Sequence, residues 1–126
     1  MDRRLAALER LQAQGRATFL ADGAVQAQVE RHLQLAIQSA IDIAVHILAE
    51  DSASTPETYG AAFTAMADAE VIPADLAGGL RRAAGLRNIL VHAYLDVDPK
   101  QVWDQLQDIG DLRAFAAAVE AYLETK

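Results

Sequence analysis

The chain contains no cysteine, which excludes disulfides and thiolate-ligated metal and fits a reducing compartment. No apolar stretch in the sequence approaches the roughly 18 residues that would span a bilayer. The opening residues Met1-Asp2-Arg3-Arg4-Leu5 carry no long apolar core of the signal-peptide kind. A soluble, cytoplasmic protein with no membrane contact is the expectation. Positive charge is also short: the formal net charge is −7. Generic nucleic-acid binding draws its affinity from Lys and Arg that neutralise phosphates, so that balance argues against coating a long duplex. Internal repeats, low-complexity tracts and linkers are missing as well, and no run of β-branched residues alternates as a strand would.

What is present is a helical pattern. With 52% hydrophobic residues over 126 positions, the chain is long enough for one core and too short for two. A single domain over residues 1–126 is expected. A first helix is predicted from Asp2 to about Leu20, burying Leu5, Leu8, Leu11, Ala13 and Phe19, with a break at Ala21-Asp22-Gly23 and Asp22 capping the next helix. That second, long helix from about Ala24 to Ala49 repeats Val29, Leu33, Ala36, Ile37, Ala40, Ile41, Ala44, Ile47 and Leu48 at three- and four-residue spacing. Ser54-Thr55-Pro56-Glu57 reads as a capping box opening a third helix that packs Ala61, Phe63, Met66 and Val71. Pro73 suits the first turn of a fourth, which runs through Leu76, Leu80, Leu86, Ile89 and Leu90 to about Tyr94. Asp98-Pro99-Lys100-Gln101 starts the last, with Val102, Trp103, Leu106, Ile109, Leu112, Phe115, Val119 and Leu123 inside and Gly110 a point of loosening. The fold class is all-α, an antiparallel four- to five-helix bundle.

One window breaks the apolar pattern. Arg87-Asn88-Ile89-Leu90-Val91-His92-Ala93-Tyr94 brings charge, an amide, a proton-transfer group and a phenol into eight residues. It lies in a stretch from Asp75 to Asp96 with no acidic residue between them, where Arg81, Arg82 and Arg87 make a local positive patch. Such a patch fits a few phosphates, although Arg81 and Arg82 read equally well as solvated charges. At roughly 100° per residue, Asn88 and His92 share a face, Arg87 and Tyr94 share a neighbouring one, and Arg87 and His92 diverge by roughly 140°. Either the helix end distorts before Asp96, or a second copy of the chain completes the site. The chemistry such a cleft suits is RNA cleavage without metal. Histidine moves the proton of a ribose 2′-OH or of the leaving 5′-oxygen, and guanidinium holds the phosphate. DNA, lacking the 2′-OH, is not cut this way.

The run resembles the R-N-x-x-x-H-x-Y form of the R-x4-H motif in HepT-like toxins of the HEPN ribonuclease superfamily. The stretch from Glu30 to Ala44 is similar to that family's second helix, and the likeness covers about residues 24 to 124. The resemblance implies an HEPN-like helical homodimer with a composite, metal-independent endoribonuclease site in which Arg87 and His92 are catalytic and Asn88 supports them. It implies no cofactor. It also implies a partner, a minimal nucleotidyltransferase antitoxin (MntA-like) that attaches AMP to the motif tyrosine, here Tyr94. A phosphate on Tyr94 would fill the arginine patch with negative charge and keep RNA out.

Asp42 and His46 share a face of the long helix, but no third ligand follows at helical spacing and there is no HExxH pattern, so a metal site is not expected. Asp42 reads as a supporting residue that orients a basic motif residue across the bundle, or as a polar residue satisfied by a neighbouring helix. Arg81 and Arg82 are the expected RNA-phosphate contacts, and His32 a surface or interface residue. Gly78-Gly79 suits a close helix approach at a dimer interface; with no Lys-Ser/Thr after it, it is not a phosphate loop. The alternative from another class is a non-catalytic HEPN-like module that binds a nucleotidyltransferase as a regulatory or scaffolding subunit; a plain helical dimerisation domain is the third.

Overall fold

The structure is a computed structural model in which residues 1–52, 55–92 and 96–125 are described. The described residues are helical: α1 Asp2–Ala13, α2 Arg16–Ala21, α3 Gly23–Asp51, α4 Tyr59–Asp68, α5 Ala74–His92, α6 Pro99–Leu106 and α7 Gly110–Glu124. Seven helices replace the expected four or five because the first and last of those are each broken at a glycine. Gly15 stands at φ 93°, a left-handed conformation that glycine adopts without steric cost, and it turns the chain between α1 and α2. At the other end, consecutive three-residue-spaced hydrogen bonds at Gln107, Asp108 and Ile109 close α6, and α7 restarts at Gly110.

The long helix α3 is the centre about which the others pack. Asp22 starts it by accepting from the amides of Ala24 at 2.9 Å and Val25 at 3.3 Å, and all nine residues expected in its apolar stripe are buried. Among the described residues, α3 alone is long and apolar enough in one window to cross a membrane. Its apolar side is nonetheless covered by α1, α4, α5 and α7, as in the core helix of a bundle. Aromatic pairs tie distant segments together: Phe63 of α4 meets Phe115 of α7 edge to face at 5.7 Å, and Phe19 of α2 lies 5.4 Å from Trp103 of α6.

Helix α4 begins later than the sequence suggests. Its cap is Thr58, whose Oγ1 accepts from the amide of Ala61 at 3.0 Å; of the expected capping box, Ser54 lies outside the described residues and Thr55 to Glu57 precede the helix. A Schellman turn ends α4, with Val71 N–H donating to Met66 C=O at 3.0 Å and Glu70 N–H to Ala67 C=O at 3.0 Å. Glu70 sits there at φ 61°, the position glycine usually takes. Pro73 precedes α5 and Asp98 caps α6.

Two expected core residues, Ala13 and Leu123, are on the surface instead. Each falls at or near a helix end, where the apolar stripe has run past its neighbours. Gly79 does serve a close approach, but within the chain. A Cβ there would overlap the Asp111 carboxylate of α7 and stand 2.9 Å from its Cγ.

Candidate functional site

Arg87 occupies an odd place for a charged side chain. Along α5 the buried positions run Leu76, Leu80, Ala83 and Leu90, and Arg87, four after Ala83 and three before Leu90, falls on that same stripe. Its stem is therefore held against the core and the residue is half-buried, while the guanidinium emerges at the surface, as long cationic side chains do. The Nε atom is fully buried and has no hydrogen-bond partner among the described residues. Beyond it, the guanidinium carbon lies 5.0 Å from the centre of the Tyr59 ring, and Nη1 donates to Asn88 Oδ1 at 3.2 Å.

Asn88 and His92 are exposed on the adjoining face, and α5 continues as helix through His92. The divergence between Arg87 and His92 is thus not removed by distortion of the helix before His92. The arginine side chain instead reaches the Tyr59 ring, and the segment from Thr55 to Tyr59 lines the same space as Arg87 and His92. Together with Val45 of α3, these elements enclose one open cleft of about 580 Å³ lined by Arg87, Asn88, His92, Glu57, Thr58 and Tyr59 among others. A cation with a planar hydrogen-bonding fork, an amide and an imidazole face the same space. Arg87 can grip a phosphate bidentately, and His92 can accept or donate a proton.

The remaining expected residues are dispersed. Asp42 is exposed on α3, accepts from Gln38 Nε2 at 2.8 Å, and lies with Ile43, His46, Ile47, Val119 and Leu123 around a separate, mostly apolar groove of about 490 Å³. Within one chain it does not face the cleft. Arg81 donates to Thr64 Oγ1 at 3.0 Å. Arg82 borders a third groove, between α5 and α6, with Asp104 and Asp108. Nearby, burial holds the Asp111 carboxyl above the ordinary carboxylate range; the Asp108 charge adds to that and Arg82 opposes it. His32 is half-buried with its Nδ1 facing Arg4 Nη1 at 3.1 Å, and burial, then Arg4 and Arg10, push its pKa down. Tyr94 lies outside the described residues.

Nothing in the sequence marks Tyr59 as a site residue, and Glu57 is marked only as part of a capping box. Their place beside Arg87, 28 and 30 residues on, is a product of the tertiary fold.

Comparison with known proteins identifies the family. Residues 1–120 match the family described as Ribonuclease HepT-like. A tRNA nuclease HepT from Aphanizomenon flos-aquae is 39% identical over 85 residues, 68% of this chain and 58% of that protein. An mRNA nuclease HepT from Shewanella oneidensis is 34% identical over 94 residues, 71% of each. Among solved structures, a tri-AMPylated Shewanella oneidensis HEPN toxin in complex with its MNT antitoxin superposes with a TM-score of 0.86 at 28% identity, covering 95% of this chain and 90% of that one. A toxin–antitoxin crystal structure with AMP-PNP gives 0.83 at 27%, covering 94% and 90%.

Proposed function

Since the chain belongs to the HepT-like ribonuclease family, we propose that it is the toxin of a toxin–antitoxin system, an endoribonuclease that cuts RNA through Arg87 and His92. The observation that carries this is the single cleft onto which Arg87, Asn88 and His92 open. In the reaction the ribose 2′-oxygen attacks the adjacent phosphorus and the P–O5′ bond breaks. The products are a 2′,3′-cyclic phosphate on one strand and a 5′-hydroxyl on the other. One proton leaves the 2′-OH and one must reach the 5′-oxygen. His92 serves one of these transfers, and Arg87 stabilises the charge that grows on the non-bridging oxygens. Asn88 holds the guanidinium through its Oδ1. The relatives include one tRNA and one mRNA nuclease, so the substrate is assigned only as RNA.

Two proton transfers and one histidine per cleft favour a two-fold homodimer in which a second His92 completes the site. The outer face of α3 supports that arrangement. Asp42, Val45 and His46 share it at three- and four-residue spacing. Val45, 39% exposed, lines the cleft, and Leu123, 53% exposed, borders the apolar groove beside Asp42 and His46. Apolar surface flanking a polar cleft is the usual mark of a partner site. In this dimer Asp42 comes to support the motif of the other copy, and Arg81 and Arg82 take outlying RNA phosphates. A minimal nucleotidyltransferase serves as antitoxin and adenylylates Tyr94; that a similar HEPN toxin is AMPylated in complex with an MNT antitoxin supports the AMP transfer. Both proteins act in the cytoplasm.

The test is cleavage of total tRNA and of a model mRNA by the purified chain. His92→Ala is expected to cut at least about 100-fold more slowly, the usual scale of lost acid–base catalysis, with an unchanged melting temperature. Equal rates for the two proteins would overturn the mechanism, and no cleavage by the unmodified wild type would favour the non-catalytic scaffold.

A further inference from the structure

We propose that Tyr59 is a positioning residue for the reaction. Its ring clamps the Arg87 guanidinium by cation–π contact and fixes it in the same cleft as His92; the inference rests on the ribonuclease reading above.

Three observations converge on it. Backbone geometry alone sends Arg87 and His92 roughly 140° apart on α5, so something beyond the helix must aim the arginine. The Arg87 stem is confined by the core and its Nε–H is buried with no acceptor among the described residues, so hydrogen bonding to them does not hold that part of the side chain. The fixed contacts of the guanidinium among those residues are Asn88, on its own helix at 3.2 Å, and the Tyr59 ring at 5.0 Å, on a different element. Of the two, the second sets direction relative to the cleft wall. Tyr59 is itself well placed for this. It is the first residue of α4, directly after the Thr58 cap whose hydroxyl anchors the turn to Ala61, and 38% exposed.

A ring is also a suitable partner for a catalytic cation. An opposing carboxylate would neutralise the guanidinium and compete with phosphate. The ring face holds the cation by its quadrupole without taking up the terminal N–H donors that Asn88 leaves available to a phosphate. Glu57 lines the same cleft, yet the guanidinium is stacked on the aromatic ring two residues further on.

The contact has the size expected of a partly exposed cation–π pair. Its loss should therefore lower kcat by about 3- to 30-fold and change KM less, because the arginine matters most to charge that develops in the transition state. The experiment compares Tyr59→Leu, Tyr59→Phe and Tyr59→Trp in RNA cleavage and thermal melting, with the Arg87 Nε–H followed by ¹H–¹⁵N NMR. The expected result is a kcat loss in Tyr59→Leu without loss of melting temperature, and recovery in Tyr59→Phe and Tyr59→Trp. In the wild type the Nε–H proton should be shifted upfield by the ring current; Tyr59→Leu should abolish that shift and Tyr59→Phe keep it. Full activity in Tyr59→Leu, or equal damage in Tyr59→Phe, overturns the proposal. A wild-type Nε–H without ring-current shift also overturns it, whatever the cleavage assay gives. Protein that displays the shift but never cuts RNA supports the clamp and removes the ribonuclease reading instead.

Discussion

Replacing Gly79 by alanine sets two effects of similar size against each other. Gly79 lies inside α5, where alanine should gain about 0.5–1 kcal/mol over glycine through helix propensity. The new methyl, however, overlaps the Asp111 carboxylate and stands 2.9 Å from Asp111 Cγ. Because Cγ is involved as well as the oxygens, spinning the carboxylate about its last bond does not relieve the overlap. The side chain must leave its χ1 well or tilt within it, at about 0.5–1.5 kcal/mol. Gly79→Ala alone should therefore fall between about 0.5 kcal/mol stabilising and about 1 kcal/mol destabilising, the difference of those two terms. In an Asp111→Ala background the obstacle is gone, and the same substitution should stabilise by the full helical gain. Urea melts of the four proteins at one fixed protomer concentration close the cycle, with an expected coupling of about 1 kcal/mol. Additivity within about 0.3 kcal/mol would refute the close approach of α5 and α7.

The same pair has a pH signature. Burial raises the Asp111 carboxyl, with Asp108 adding and Arg82 opposing, so the folded state holds that proton more tightly than the unfolded chain does. Stability from this group is consequently gained as pH falls through the folded value and lost as the group ionises above it. Gly79→Ala, by pushing the carboxylate toward water, should shrink that gain on mild acidification. An unchanged difference between pH 7 and the upper carboxylate range in Gly79→Ala would contradict it.

Two further outcomes are expected. Arg87→Lys keeps the charge but loses the planar fork and most of the stacking on Tyr59, so kcat on RNA should fall at least about 10-fold; a rate within about twofold of wild type would mean that charge alone suffices. Glu70→Gly relieves a left-handed side-chain-bearing residue at the end of α4, φ 61°. After the entropy cost of glycine it should stabilise by about 0.5–1 kcal/mol, read as a rise in Tm with unchanged cleavage.

Much of the fold was legible because helices and caps are local. The Asp22 and Asp98 caps, the α3 stripe and the burial of Phe63, Phe115 and Trp103 follow from spacing that a few neighbouring residues define. The breaks were harder. Gly15 and Gly110 interrupt apolar periods that continue across them, and whether a glycine bends, breaks or merely weakens a helix depends on what packs beside it. The Ser54 to Glu57 box and Thr58 compete for one helix start, and the turn into Tyr59 decides in favour of Thr58. The site shows the same division. Arg87, Asn88 and His92 stand out as residue types within six positions, and their spacing admits two geometries for convergence on one cleft. The helix does not distort before His92, and what spacing could not reveal is that the long arginine side chain meets a segment remote in sequence at the cleft. The surroundings of Asp42 were illegible for the same reason: local spacing places it beside Gln38 and His46, and only the path of α7 brings Val119 and Leu123 to its side.

Arg87 itself is where folding and chemistry disagree most. A leucine at its position on the Leu80–Ala83–Leu90 stripe would bury cleanly, whereas the arginine leaves a buried Nε–H with no acceptor among the described residues, a defect that typically costs about 1–3 kcal/mol. A bundle selected only for stability would discard it, since polar groups on a core stripe are kept where they are used. The rigidity imposed by a confined stem is also what the proposed cleavage would need. A phosphate-gripping cation on a free side chain must be ordered at each encounter, while one pinned between the core and the Tyr59 ring has lost that entropy during folding. The stability given up at Arg87 and the preorganisation gained at the cleft have one structural cause, the placement of a cation on an apolar stripe.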